Sequence, residues 1–505
     1  MNKLDQSNIS GERTRVGPGY QHIFQVSAED ETSSVQAVCD HYRCPSQFLD
    51  FRIAKGLSRH KGFFQFGPDA VCYGSSLGDN HRTRLSDDLI DLLSKVSSDK
   101  SGLILPFDPN EIIDNLRLER YPCSRMGKYE KSLKSLYYQL RPMTNRSMRV
   151  GVQRLRAANW NKRRFPQWPV DTTVENIGET LLLLALKAGH TDSIPFIWFW
   201  PNGAHACVAM THDVETTAGR DFAMQLADID QSFGIKASYH IVPEKRYEVT
   251  PEYLSELRTR GCEVCVQDLN HDGRLFDERQ EFLRRVAEIN RYGREYGAKG
   301  FRSAILYRNI DWYKDLEFSF DMTIPNVAHL DPQRGGCCTV MPYFIGDILE
   351  LPLTTVQDYT LFHVLNERSI DLWKMQFKKI LSKNGMATFL VHPDYVIESD
   401  TRAVYKELLD MLRDMRKREA LWFALPGEID TWWRQRSQMS IVRDGGSWRI
   451  AGEGSERAVL AFAKVVKGKL VYEHLSASRD ERQLSNTKKS RHHAIKPVPT
   501  ESCRN

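Results

Sequence analysis

After residue 172 the chain alternates short apolar runs with longer segments in which apolar residues recur every three or four positions. The short runs predict strands at HACVAMTHD (His205–Asp213), IKASYHIV (Ile235–Val242), CEVCV (Cys262–Val266), Lys299–Arg302, Glu317–Asp321, Ile348–Leu353, MATFLV (Met386–Val391) and LWFAL (Leu421–Leu425). Between them the periodic segments predict helices at Thr216–Phe233, from Thr250 to a stop at Gly261, and at Asp277–Tyr296, Ile370–Ser382, Thr401–Lys417 and Pro426–Arg436. Strands joined by helices over about 235 residues match the size of a parallel barrel.

The flanking sequence has a different texture. Residues 1–35 are polar and expected to be disordered. Residues 36–140 contain FFQF (Phe63–Phe66), a helix-periodic DDLIDLLSKV (Asp87–Val96) and a strand-like GLILPF (Gly102–Phe107), which predicts an accessory α/β domain. Residues 141–200 form a basic helical segment and connector that includes a helix at 172–188, and the barrel takes 201–438. Alternating patterns with Gly-rich turns predict a small β appendage at 439–474, followed by a disordered basic tail at 475–505. The expected fold class is therefore α/β, a distorted parallel (β/α) barrel with an N-terminal α/β accessory domain and a small C-terminal β appendage.

Charge changes the picture mainly by its location. Of the 505 residues 70 are Lys or Arg and 65 are Asp or Glu, a net +5. From Ser476 to Asn505 seven basic residues face three acids, and Arg141–Arg164 holds eight basic residues and no acid, so the remainder is net acidic. That distribution does not describe a nucleic-acid binder. The loose amphipathic pattern of Met148, Val152, Leu155 and Trp160 makes the basic segment a candidate contact with an anionic membrane, or else a solvated helix packed on the barrel. The N-terminus lacks an apolar leader core, and the apolar runs are short of a membrane span, so a cytoplasmic location is expected, with the inner membrane face as the peripheral alternative. Ten cysteines without a paired framework read as reduced thiols.

In a parallel barrel the chemistry lies where strands end, and four strand ends carry polar clusters: THDVE (Thr211–Glu215), VQDLNHDG (Val266–Gly273), GFRS (Gly300–Ser303) and VHPD (Val391–Asp394). Asp213 and Glu215 are two apart, so extended backbone points both to one face, where they favour a cation or a shared proton. Gln267 and His271 have the spacing of one helical turn. His271 is a good ligand for a divalent metal and Gln267 a poor one.

Taken together these segments, with KASYHIVP (Lys236–Pro243), YRNIDWY (Tyr307–Tyr313), VHPDY and LWFALPGEIDTWW (Leu421–Trp433), resemble the polysaccharide deacetylase family over about residues 205–435. The resemblance implies a bacterial-type, metal-dependent hydrolase on a distorted barrel that removes acetyl from N-acetyl sugars. It implies Asp213 as general base, Glu215 and His271 as metal ligands, Arg302 as the residue orienting the base, and His392 as general acid. Asp394 would orient His392 or contact substrate, and Trp312 and Tyr313 would line the pocket against a sugar or be buried in the wall. The cofactor implied is a divalent metal, zinc first. Where the family motif has His at both ends of its His-x-x-x-His spacing, this chain has Gln267, whose carbonyl oxygen can hold a cation with less affinity than imidazole.

The expected function is deacetylation of a polysaccharide or lipid-linked glycan precursor, with a glycan or glycolipid as partner and no nucleic acid. The alternative is a glycan-binding descendant whose metal was lost through Gln267.

Overall fold

The computed structural model describes residues 35–78, 82–85, 88–100, 102–122, 151, 154, 160, 163–189, 191–330 and 333–475. Five strands belong to the N-terminal segment: β1 (Phe51–Ile53), β2 (Gly62–Gln65), β3 (Val71–Gly74), β4 (Ser97–Asp99) and β5 (Gly102–Leu105). A connector strand, β6 (Ile194–Ile197), precedes the main sheet of β7 (Cys207–Val214), β8 (Ala237–Ile241), β9 (Glu263–Gln267), β10 (Gly300–Arg302), β11 (Phe320–Asp321), β12 (Tyr343–Ile345), β13 (Ile348–Glu350), β14 (Met386–Leu390) and β15 (Trp422–Phe423). Two hairpins follow, β16 (Ser440–Asp444) with β17 (Ser447–Ala451), and β18 (Leu460–Val466) with β19 (Lys469–His474).

The main sheet runs β12-β13-β11-β10-β9-β8-β7-β14, with β15 also on β7, and every pair except β12 with β13 is parallel. It is a curled half-barrel in a mixed α/β fold. On its open side Thr354 Oγ1 donates to Met386 O at 2.8 Å, Thr388 N donates to Thr354 Oγ1 at 2.9 Å and Thr355 Oγ1 donates to Thr388 O at 2.8 Å. Threonine hydroxyls thus take over from a backbone ladder in tying β14 to the chain beyond β13.

Strand alternation sorts the side chains of this sheet into two layers. Val208 and Met210 of β7, Tyr239 and Ile241 of β8, and Val264 and Val266 of β9 pack with the covering helices. Cys207, Ala209, Cys265, Phe320 and Met386 face the concave side, in a second core shared with the helix Thr173–Lys187, β6, the helix Pro426–Gln438 and buried residues of the N-terminal and C-terminal segments. β18 pairs antiparallel with β6, and Arg436 donates to the carbonyls of Ile197, Trp198 and His41. Gly300 is needed for this packing, since a Cβ there would stand 2.2 Å from the Phe320 ring.

Two local expectations change. The helix expected at 87–96 is reduced to one 3-10 turn, Leu92–Lys95, because the Asp91 carboxylate accepts from both Leu93 N and Gly67 N and ties the run to a neighbouring turn. Most of the basic segment 141–164, and the expected disordered ends apart from Val35 and Leu475, lie outside the described residues. Within that segment Trp160 is buried beside Trp168, Arg154 donates to His363 O and Arg163 to Ala328 O. The eight described cysteines are buried thiols, and no described helix is long and apolar enough to cross a membrane.

The second core holds a buried acid, Glu175, which accepts from Thr339 Oγ1 and Val340 N. Burial pushes its carboxyl up from 4.5 to about 7. Between those values the folded chain keeps a proton that the unfolded chain releases. The stabilising contribution is therefore full below pH 4.5 and is lost as pH rises toward 7. Glu263, raised by burial to about 7 at the start of β9, acts in the same direction. Glu175→Gln should flatten the fall in melting temperature between pH 5 and 8 by about 2–4 °C, followed by scanning calorimetry. An unchanged slope would refute this role for Glu175.

Candidate active site

The concave positions of neighbouring strands end in polar residues at one mouth of the half-barrel. Thr211 and Asp213 continue the concave face of β7, Gln267 closes β9, Arg302 closes β10 and His392 follows β14. Register brings them together: Arg302 lies opposite Gln267, and Leu390 opposite Thr211. Asp213, Gln267, Arg302 and His392 are all at most 3% exposed, and Glu215 stands at the rim.

Asp213 is held from two sides. Arg302 Nη1 donates to its Oδ1 at 2.6 Å, while Gln267 Nε2 donates to its Oδ2 at 2.9 Å. Arg302 is itself fixed by Thr211 Oγ1 at 3.2 Å and by Met322 O at 2.9 Å. Burial outweighs the guanidinium and raises the Asp213 carboxyl above its ordinary range, which suits a base that must accept a proton.

Glu215 Oε1 collects three nitrogens: His271 Nε2 at 2.7 Å, Gln267 Nε2 at 3.1 Å and His392 Nε2 at 3.3 Å. Burial alone would raise its carboxyl, but the two imidazoles outweigh it and hold Glu215 well below the usual carboxylate range. Burial would likewise lower both histidines, yet Glu215 raises His271, and Asp358 with Glu215 raises His392 well above the ordinary imidazole value. His392 is thereby kept as a proton donor.

Asp358 is the site residue that sequence inspection misses. Its Oδ1 lies 2.7 Å from His392 Nδ1, and its Oδ2 accepts from His392 N at 2.7 Å. It lies just beyond β13 in TTVQD (Thr354–Asp358), a polar strand end of the same kind as the four singled out. The carboxylate in contact with the His392 ring is thus that of Asp358, where the expectation had named Asp394. Asp394 Oδ1 is buried without a partner, and burial raises its carboxyl.

Gln267 and His271 do meet at Glu215, but through a loop. Gln267 ends β9, and Asp268 and His271 take left-handed φ values of 49° and 55°. Arg246 braces that loop by donating to Asn270 O and His271 O. Trp312 and Tyr313 are not brought to the cluster. Tyr313 is fully buried in the helix-side core, and Trp312 packs on Phe282 at 5.1 Å and under Arg279 at 5.3 Å. The ring beside His392 is Tyr395, at 5.0 Å.

The donor set suits a divalent cation. Ligand atoms of Asp213, Glu215 and His392 lie within 4.8 Å of one another. Gln267 Oε1 is buried without a hydrogen-bond partner, and His271 Nε2 has only the Glu215 carboxylate, 2.7 Å away. Carboxylate, imidazole and amide oxygens are the ligand types such an ion takes.

No family model matches the sequence, and no match is found among curated proteins. Among solved structures, the chain is similar to a probable polysaccharide deacetylase from Pseudomonas aeruginosa PAO1, with 12% identity over 46% of this chain and 93% of that one and a TM-score of 0.38. It is also similar to Puue allantoinase, with 12% identity, coverage of 46% and 92% and a TM-score of 0.37. A third is the peptidoglycan deacetylase PdaC from Bacillus subtilis, with 14% identity, coverage of 46% and 93% and a TM-score of 0.30. Over just under half of its length, then, this chain is similar to solved polysaccharide and peptidoglycan deacetylases.

Proposed function

We propose that the chain is a hydrolase of non-peptide carbon–nitrogen bonds that removes acetyl from an N-acetylated sugar in a polysaccharide or a lipid-linked glycan precursor. One observation carries this reading: a buried carboxylate clamped by Arg302 and an imidazole clamped by Asp358 flank Glu215 at one barrel mouth. Amide hydrolysis needs that pairing, because water must lose a proton as it attacks and the departing nitrogen must gain one.

Asp213 takes the proton from water as the new carbon–oxygen bond forms. His392 then gives its proton to nitrogen as the carbon–nitrogen bond breaks, leaving acetate and a free amine. Arg302 keeps the base aimed, and Asp358 keeps His392 in the orientation that presents Nε2 to the mouth. Glu215, His271 and Gln267, with Asp213 and His392 in reach, would hold a divalent cation, zinc in the first instance, which when bound supplies Lewis-acid polarisation of the acyl carbonyl.

Acetate release from N-acetylglucosamine oligomers and from peptidoglycan fragments, with a non-carbohydrate amide in parallel, tests the proposal. Release from the sugars, suppressed by a chelator, is the expected result. Hydrolysis confined to the non-carbohydrate amide would overturn the sugar assignment. The presence of Gln267 at a ligand position favours one second reading, a glycan-binding protein without turnover, for which the sugars bind and release nothing.

A further inference from the structure

We propose that the Gln267 amide does for Asp213 and Glu215 what a divalent cation would otherwise do, so that the site holds its geometry without one and binds such an ion weakly and exchangeably. The inference deepens the hydrolase proposal and rests on it only for where the cation goes.

Gln267 is fully buried, and its Nε2 lies between the two carboxylates, 2.9 Å from Asp213 Oδ2 and 3.1 Å from Glu215 Oε1. Two carboxylates brought this close repel unless something positive stands between them, and an amide NH2 has two hydrogens, one for each. The other Asp213 oxygen is already taken by Arg302, so the amide supplies the hydrogen-bond donors that the carboxylates need on the cluster side. Its Oε1 has no partner. Half a turn about the last side-chain torsion exchanges Nε2 for Oε1. The same residue can therefore face the carboxylates as a donor or face a cation as a ligand.

A second contact bears independently on affinity. A histidine that holds a metal tightly donates its other ring N–H to an acceptor. Around His271 the arrangement is reversed: Arg246 Nη2, a donor, lies 3.4 Å from His271 Nδ1 and also bonds the His271 carbonyl. A donor beside Nδ1 favours the neutral tautomer with its hydrogen on Nε2, the nitrogen facing Glu215. Gln267 and Arg246 both compete with a cation for the same atoms.

The test is titration of the full chain with zinc chloride and with manganese chloride, together with thermal melts in EDTA and in excess zinc. Gln267→His should bind zinc about 10–100-fold more tightly than the unaltered chain, the range that changes around a metal ligand produce. Gln267→Met keeps the length and loses both donors, so it should melt at least about 2 °C lower in EDTA and regain the difference in zinc. Arg246→Gln, which offers an acceptor to Nδ1, should also tighten zinc binding about tenfold or more, and it stands in if Gln267→Met does not fold. Equal melting of Gln267→Met and the unaltered chain in EDTA would overturn the proposal. So would an unaltered chain that binds zinc as tightly as Gln267→His. Neither readout uses acetate release, so failure to hydrolyse any amide, sugar or not, would sink the hydrolase proposal and leave these results standing.

Discussion

Asp213→Asn is expected to lower kcat about 10²–10⁴-fold, because the amide keeps the shape of the base and has no basicity at its oxygen. The change also leaves Arg302, which is fully buried, without a counter-charge, its remaining acceptors being the neutral oxygens of Thr211, Met322 and the new amide. Removing one member of a buried ion pair costs about 3–5 kcal/mol, so the variant should also melt several degrees lower. Lost stability and lost chemistry separate in the double variant Asp213→Asn, Arg302→Met, in which no buried charge is left unpaired. It should recover most of the melting temperature and none of the turnover. Acetate release at substrate saturation, measured at a temperature where all three proteins are folded, decides the matter. Turnover that returned with stability would make Asp213 a structural residue.

His392→Ala should cost a similar 10²–10⁴-fold, with a dependence on substrate that Asp213→Asn lacks. Protonation by His392 matters most when the departing nitrogen is strongly basic, as in an alkyl amine, and least when it is an aniline. The loss should therefore shrink at least about tenfold on an acetanilide relative to an N-acetyl sugar, whereas the loss in Asp213→Asn should stay the same. Asp358→Asn should show the same dependence on the leaving group in weaker form, since Asn retains one oxygen for His392 N or Nδ1 but removes the negative charge. Equal losses on both substrates would remove His392 from the role of proton donor.

The proposed catalytic pair was largely visible in the sequence for a simple reason: strand ends in a parallel sheet are short stretches where an apolar run turns polar. THDVE, GFRS and VHPD announce themselves in that way. Asp213 and Glu215 also share a face by the two-residue period alone, and the contacts of both with one Gln267 nitrogen agree. Asp358 was harder to see, because its link to His392 spans 34 residues and runs through a strand pair that closes by threonine hydroxyls. The helix expected at 87–96 failed for a related reason. Its apolar period is real, but the Asp91 carboxylate answers to Gly67, a residue outside any local window.

By itself the sequence determined the alternation of strand and helix, the polar strand ends, and the pair of acids on one face, all of which follow from local periodicity and backbone geometry. Only the tertiary structure decided which acid orients His392, which way the Gln267 amide turns, and that Trp312 and Tyr313 belong to the wall. The first two depend on which buried polar atom finds a partner across the sheet and the third on apolar packing, and both are settled by strand register and contacts between residues far apart in the chain.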